Sequence, residues 1–143
     1  MRKADCPFCD FDEPDVTVYR DDLVLAIVSR APINRHHVMV LPREHVEHLP
    51  DLPAATAARL IHVVQRVSRA VREASGADAV THITEDDVAG GGYNLVAHLK
   101  LHVIPRFTGD AVVMQWNREA DPGTAVRAGY AQAVRERLRA LVG

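Results

Sequence analysis

"HLKLHVIPR", residues 98–106, is the stretch on which the reading of this chain turns. In an extended strand, alternate side chains share a face. His98, Lys100 and His102 would then line one surface, while Leu99, Leu101 and Val103 bury the other. Taken alone, this is a half-buried strand with a polar outer face. The surrounding sequence decides what a row of imidazole, ammonium and imidazole is for.

Working outward, "NLVAHLKLHVIP" (94–105) reads as one strand, and "DAVTHIT" (78–84) as the strand before it. The acidic, glycine-rich loop "EDDVAGGG" (85–92) joins them. "VTVYR" (16–20) and "LVLAIVS" (23–29) are two more strands around an Asp21-Asp22 turn, and "HHVMVLP" (36–42) is another, ended by Pro42. Leu60, Val63, Val64, Val67 and Val71 recur at helical spacing, so a helix spans about 53–75, with Asp51 able to cap it and Gly76 to stop it. A last helix, roughly 123–141, carries Val126, Tyr130, Val134, Leu138 and Leu141 on one side. Strands clustered before and after one long helix predict an α+β fold: a five-stranded, mostly antiparallel sheet, one long central helix and a C-terminal helix, within one domain over residues 1–143.

The chain has 143 residues, 48% of them hydrophobic and 25% charged, which are globular values with enough length for a core. The net charge of −2 argues against a binder of nucleic-acid polymers, which needs a basic face, but leaves room for a nucleotide. "MRKADCPFC" has no apolar run behind its basic residues, and no apolar segment is long enough to span a bilayer, so a cytoplasmic protein with no membrane partner is expected. Two cysteines make no disulfide framework.

Those two cysteines form "CPFC" (6–9), a pair open to redox, zinc or simple burial. A redox pair belongs at a helix start after a strand, whereas this pair precedes the first strand, which suits a metal better. Zinc wants four soft or borderline ligands in a tetrahedron. With no cysteine left, two of the eight histidines must complete the set: His36, His37, His45, His48, His62, His82, His98 or His102. Spacing does not choose between them, although His62 falls near the apolar stripe of the helix.

Four blocks together resemble the histidine triad (HIT) family in its zinc-containing bacterial branch: "CPFC", "PINRHHVMVLPREH" (32–45), "GYNLVAH" (92–98) and "HLKLHVIPR". They run in the family's order from residue 6 to 106. The resemblance implies a dimeric fold built on a five-stranded antiparallel sheet. It implies a structural zinc held by Cys6, Cys9, His45 and His98. It also implies cleavage of a nucleoside monophosphate from a leaving group, with the middle histidine of the triad attacking phosphorus.

The chain departs from that pattern in its pocket. The middle histidine is Lys100. An unperturbed lysine, with a pKa of ~10.4, is neutral in roughly one molecule in a few thousand at pH 7, so it serves as an anion clamp more readily than as a nucleophile. The acidic residue that contacts ribose falls at Ser29, the glycine before His37 is His36, the phosphate-loop glutamine is Asn94, and the amide seven residues before it is Asp87. Asn34, His37 and His102 are kept. The resemblance therefore implies a phosphorylated or nucleotide-type substrate hydrolysed or transferred at phosphorus, with Lys100, His102 and His37 as catalytic candidates and Asn34, Asn94, Ser29 and Asp87 as substrate contacts. Lys100 is expected to face a pocket floored by Asn34, His37, Asn94 and His102. Two alternatives stand: another reaction class that uses Lys100 as an amine, or a non-catalytic relative with Lys100 paired to Asp87.

Overall fold

A computed structural model describes residues 3–86, 95–114, 117 and 119–141. Strands β1 (Thr17–Arg20), β2 (Val24–Val28), β3 (Val38–Pro42), β4 (Ala79–Thr84) and β5 (Leu101–Arg106) alternate with helices α1 (Ala54–Ser75), between β3 and β4, and α2 (Thr124–Leu141), after β5. The five strands form one antiparallel sheet in the order β1-β2-β3-β5-β4, as expected for the α+β class. The chain divides into two compact units, Met1–Val112 and Val113–Gly143. The second is α2 and the segment before it, and the apolar residues expected on one side of α2 are all exposed. No helix among the described residues is long and apolar enough to cross a membrane.

Each sheet face is sealed by a different partner. Val24, Ala26, Val38, Val40 and Val103 meet the Leu60, Val63, Val64, Val67 and Val71 stripe of α1. Leu25, Ile27, Met39 and Leu41 project the other way, against Phe8 and Phe11 of the Cys-Pro-Phe-Cys segment. The strict period of two in β2 and β3 thus feeds two cores, which is why these strands read as continuous apolar runs. Asp21 closes the β1–β2 turn by accepting from the Leu23 and Val24 amides, and Arg59 of α1 donates to the same carboxylate.

Two local expectations are corrected. Strand β5 begins at Leu101, not at residue 94, so His98 and Lys100 lie on an irregular approach to it. His98, Leu99 and Lys100 are all buried there, Leu99 in the core against α1 and His98 and Lys100 on the Phe8 side, so the faces alternate as expected but the polar face is covered rather than outer. Asp51 does not cap α1: it ends a 3-10 turn, Leu49–Asp51, and Pro53 stands at the cap position with no side-chain bond. Pro42 ends β3 as expected, as its last residue, paired with Val24. Gly76 ends α1 as expected, in a left-handed conformation (φ 67°) in which its amide returns to the Arg72 carbonyl.

Candidate metal centre and adjoining pocket

Cys6, Cys9, His45 and His98 converge, with their ligand atoms all within 4.8 Å of one another. The Cys6 amide bonds the Lys3 carbonyl and the Cys9 amide bonds the Cys6 carbonyl, so the tight turn of the Cys-Pro-Phe-Cys segment aims both sulfurs the same way. His45 arrives from the loop after β3, and His98 from the approach to β5. Cys6 Sγ lies 3.3 Å from His98 Nδ1, and Cys9 Sγ lies 3.5 Å from His45 Nδ1 and 4.0 Å from His98 Nδ1. A tetrahedron with metal–ligand bonds of ~2.0–2.3 Å has edges of about 3.3–3.8 Å. Two thiols and two imidazoles at these spacings fit zinc.

The imidazole protons fit it as well. His98 Nε2 donates to the Pro42 carbonyl at 2.8 Å, and His45 Nε2 donates to Glu47 Oε1 at 3.0 Å. In each ring the proton is held outside, leaving Nδ1 bare toward the sulfurs. Burial pushes His98 down to about 4, against the pull of the Pro42 carbonyl, so the ring is neutral at pH 7. Burial pushes the Cys9 thiol up. A bound cation would reverse that preference and draw off the proton.

The remaining candidates divide. His37, just before β3, meets His102 of β5, with His37 Nε2 2.9 Å from His102 Nδ1. The Ile33 amide donates to His37 Nδ1 at 3.1 Å. A backbone amide can only donate, so the His37 proton sits on Nε2 and is given to His102 Nδ1. His102 must then carry its own proton on Nε2. Burial lowers both rings, His102 to about 4 with help from His37 and Lys100, so the pair is neutral at pH 7. The register Ile27–Met39–His102 puts these side chains on one face of the sheet. Ser29, two residues beyond Ile27, continues that face, its amide bonded to the His37 carbonyl. Ser29 is 9% exposed, and its hydroxyl has no partner among the described residues.

Lys100 is 6% exposed. Its Nζ donates to the Val96 carbonyl at 2.9 Å and lies 5.5 Å from the centre of the Phe8 ring, which itself meets His98 edge-on. The ammonium therefore sits between the metal centre and the segment that leads to β5. The Asn34 side-chain amide donates to the Pro105 carbonyl at 2.9 Å and to Asp110 at 3.0 Å, so it fastens the turn before His37 to the end of β5. Asp87 and Asn94 lie outside the described residues. Of the other histidines, His62 is exposed, His82 bonds Ser68, and His48 bonds Asp86. His36 has φ 64°, the one described residue other than glycine with positive φ, which accounts physically for the glycine of the resembled pattern.

Sequence reasoning missed Glu47 and Asp110. Asp110 accepts from Arg106, Asn34 and the Phe107 and Val112 amides, and so anchors the end of β5. Its spacing of four from Arg106 was the available signal.

A family model described as HIT domain matches residues 10–109. The chain is 28% identical over 105 residues to an adenylylsulfatase from Arabidopsis thaliana, a match covering 71% of this chain and about half of that protein (52%). It is similar to a HIT-family crystal structure from Bacillus subtilis, at 25% identity and a TM-score of 0.81 over 93% of this chain and 96% of that one. It is also similar to a zinc-bound histidine triad protein from Mycobacterium smegmatis, at 34% identity and a TM-score of 0.66 over 80% and 84% of the two chains.

Proposed function

The chain belongs to the HIT domain family, and from that premise we propose that it binds a nucleotide-type phosphorylated small molecule on the Ser29–His37–His102 face and hydrolyses it at phosphorus by direct attack of water. The observation that carries this reading is the relay from the Ile33 amide through His37 to His102. It ends in an Nε2–H that nothing among the described residues accepts. A neutral imidazole locked as a donor suits a phosphoryl oxygen, on which negative charge is concentrated. It is not a nucleophile in that state, because its one lone pair is already taken by His37. The Ser29 hydroxyl, without a partner among the described residues, adds a second polar group on the same face. The ammonium of Lys100 adds positive potential but, protonated, cannot attack phosphorus.

In the step itself, a water oxygen bonds to phosphorus as the bond to the leaving oxygen breaks, and the water's protons pass to the leaving group and solvent. His102 and Lys100 stabilise the charge that gathers on the phosphoryl oxygens. Cys6, Cys9, His45 and His98 would hold zinc, which would supply a cross-link between the N-terminal segment and the approach to β5. The same reading has the sheet carry the pocket in a homodimer; light scattering at twice the 15.8 kDa chain mass would support this, and the monomer mass would contradict it.

Adenylyl sulfate, prompted by the Arabidopsis relative, is the first substrate to test. The proposal expects AMP release, no α-phosphate label on protein quenched and denatured in alkali, where a phosphoramidate on histidine or lysine would survive, and at least a tenfold loss in Lys100→Ala. No turnover and no binding of any nucleotide at millimolar concentration would overturn it. A second reading draws on the Val96 and Phe8 contacts of Lys100. In that reading the ammonium pins the segment before β5, the pocket binds without turnover, and Lys100→Ala lowers stability with binding retained.

A further inference from the structure

Glu47 is half exposed, yet it closes a ring of contacts around the metal centre. Its Oε1 accepts from His45 Nε2 at 3.0 Å and from Lys3 Nζ at 3.1 Å. Lys3 in turn grips the cysteines through its backbone: its amide points at Cys9 Sγ at 3.4 Å, and its carbonyl accepts the Cys6 amide at 3.1 Å. The circuit runs Cys9, His45, Glu47, Lys3 and back to Cys9.

The two histidine ligands are thus oriented by unlike partners. His98 is fully buried, and its partner is the Pro42 carbonyl, which the fold fixes and no side-chain substitution removes. His45 depends on a surface carboxylate. Without Glu47 its ring is free to rotate and to carry its proton on either nitrogen, so each ligation must select one state out of several. The charges also balance. Two thiolates neutralise a divalent cation, and the extra negative charge of Glu47 is offset by Lys3.

We propose that Glu47 is a positioning residue for the metal, orienting His45 and, through Lys3, tying the N-terminal segment to metal occupancy. This rests on the zinc reading above and adds to it a residue that touches no metal.

The test is zinc affinity at pH 7, measured on the full chain by competition with a chromophoric chelator. Glu47→Ala is expected to weaken binding on the order of ten- to a hundredfold, as loss of an outer partner to a ligating histidine commonly does. Glu47→Asp should recover part of that loss, and Lys3→Ala should lose less than Glu47→Ala. Circular dichroism of the zinc-free proteins reads folding separately, and Glu47→Ala should melt within about 2 °C of the unsubstituted chain. Equal zinc affinity in Glu47→Ala and the unsubstituted chain would overturn the role of Glu47 and leave the metal reading standing. An unsubstituted chain that purifies and titrates without zinc would remove the metal reading, and the role of Glu47 with it. Weakened zinc binding matched by an equal fall in zinc-free stability, with no recovery in Glu47→Asp, would make the residue merely structural and also overturn the proposal.

Discussion

Acid should destabilise this fold through the His37–His102 pair. In an unfolded chain a histidine has a pKa of ~6.5, whereas in the fold His102 is pushed down to about 4 by burial, His37 and Lys100. Between these values the unfolded chain binds more protons than the folded one, so stability rises with pH. The contribution is complete above pH ~6.5 and is lost as pH falls through about 4. Lowering the pH from 7.5 to 4.5 removes roughly 2.5 kcal/mol at face value. The ring is only partly buried, so solvent screening leaves about 1 kcal/mol. His37, lowered by burial, acts in the same direction. The assay is urea unfolding at half-unit steps across that range, comparing the unsubstituted chain with His102→Gln. Protonation of the cysteines and of His98 is common to both and cancels in the difference. His102→Gln should lose about 1 kcal/mol less than the unsubstituted chain. Parallel pH profiles would refute the neutral, buried pair.

His36→Gly should stabilise the fold by ~0.5–1 kcal/mol in urea unfolding, since it relieves a left-handed non-glycine residue at φ 64°. Leu99→Ala, at a site 1% exposed and packed against the helix-facing core, should cost ~2–5 kcal/mol by the same measurement. Asp110→Ala should lower the melting temperature, because it leaves Arg106 and the Phe107 and Val112 amides without their common acceptor.

The candidate metal centre was legible because its chemistry narrows the choice. Two cysteines three apart need two more ligands, and the resemblance named His45 and His98, which the fold brings to Cys6 and Cys9. The sheet was legible from β-branched runs bounded by Asp21-Asp22 and Pro42. The approach to β5 was legible only in part: its alternation of faces holds, but a polar face open to solvent and one covered by another segment look alike in one dimension, and only the fold shows Phe8 beside His98 and Lys100. Asp51 had the right residue type for a cap but sits in a tighter turn, two residues short of the cap position. The donor state of His102 depends on the Ile33 amide, a backbone group that no side-chain pattern reveals. Glu47 and Asp110 have near partners, His45 two residues away and Arg106 four, but such pairs are common in any sequence, and the links to Lys3 and Asn34 that give them their place are distant in the chain.

The placement of the proton on His102 is the central claim, and long-range 15N–1H correlation of the histidine rings at pH 7 measures it directly. The relay predicts His37 and His102 neutral, each with a bare Nδ1 and a protonated Nε2, and an Nε2 shift of His102 when AMP is added. A His102 ring carrying its proton on Nδ1, or one charged at pH 7, would contradict the account, because it would free Nε2 as a base or nucleophile.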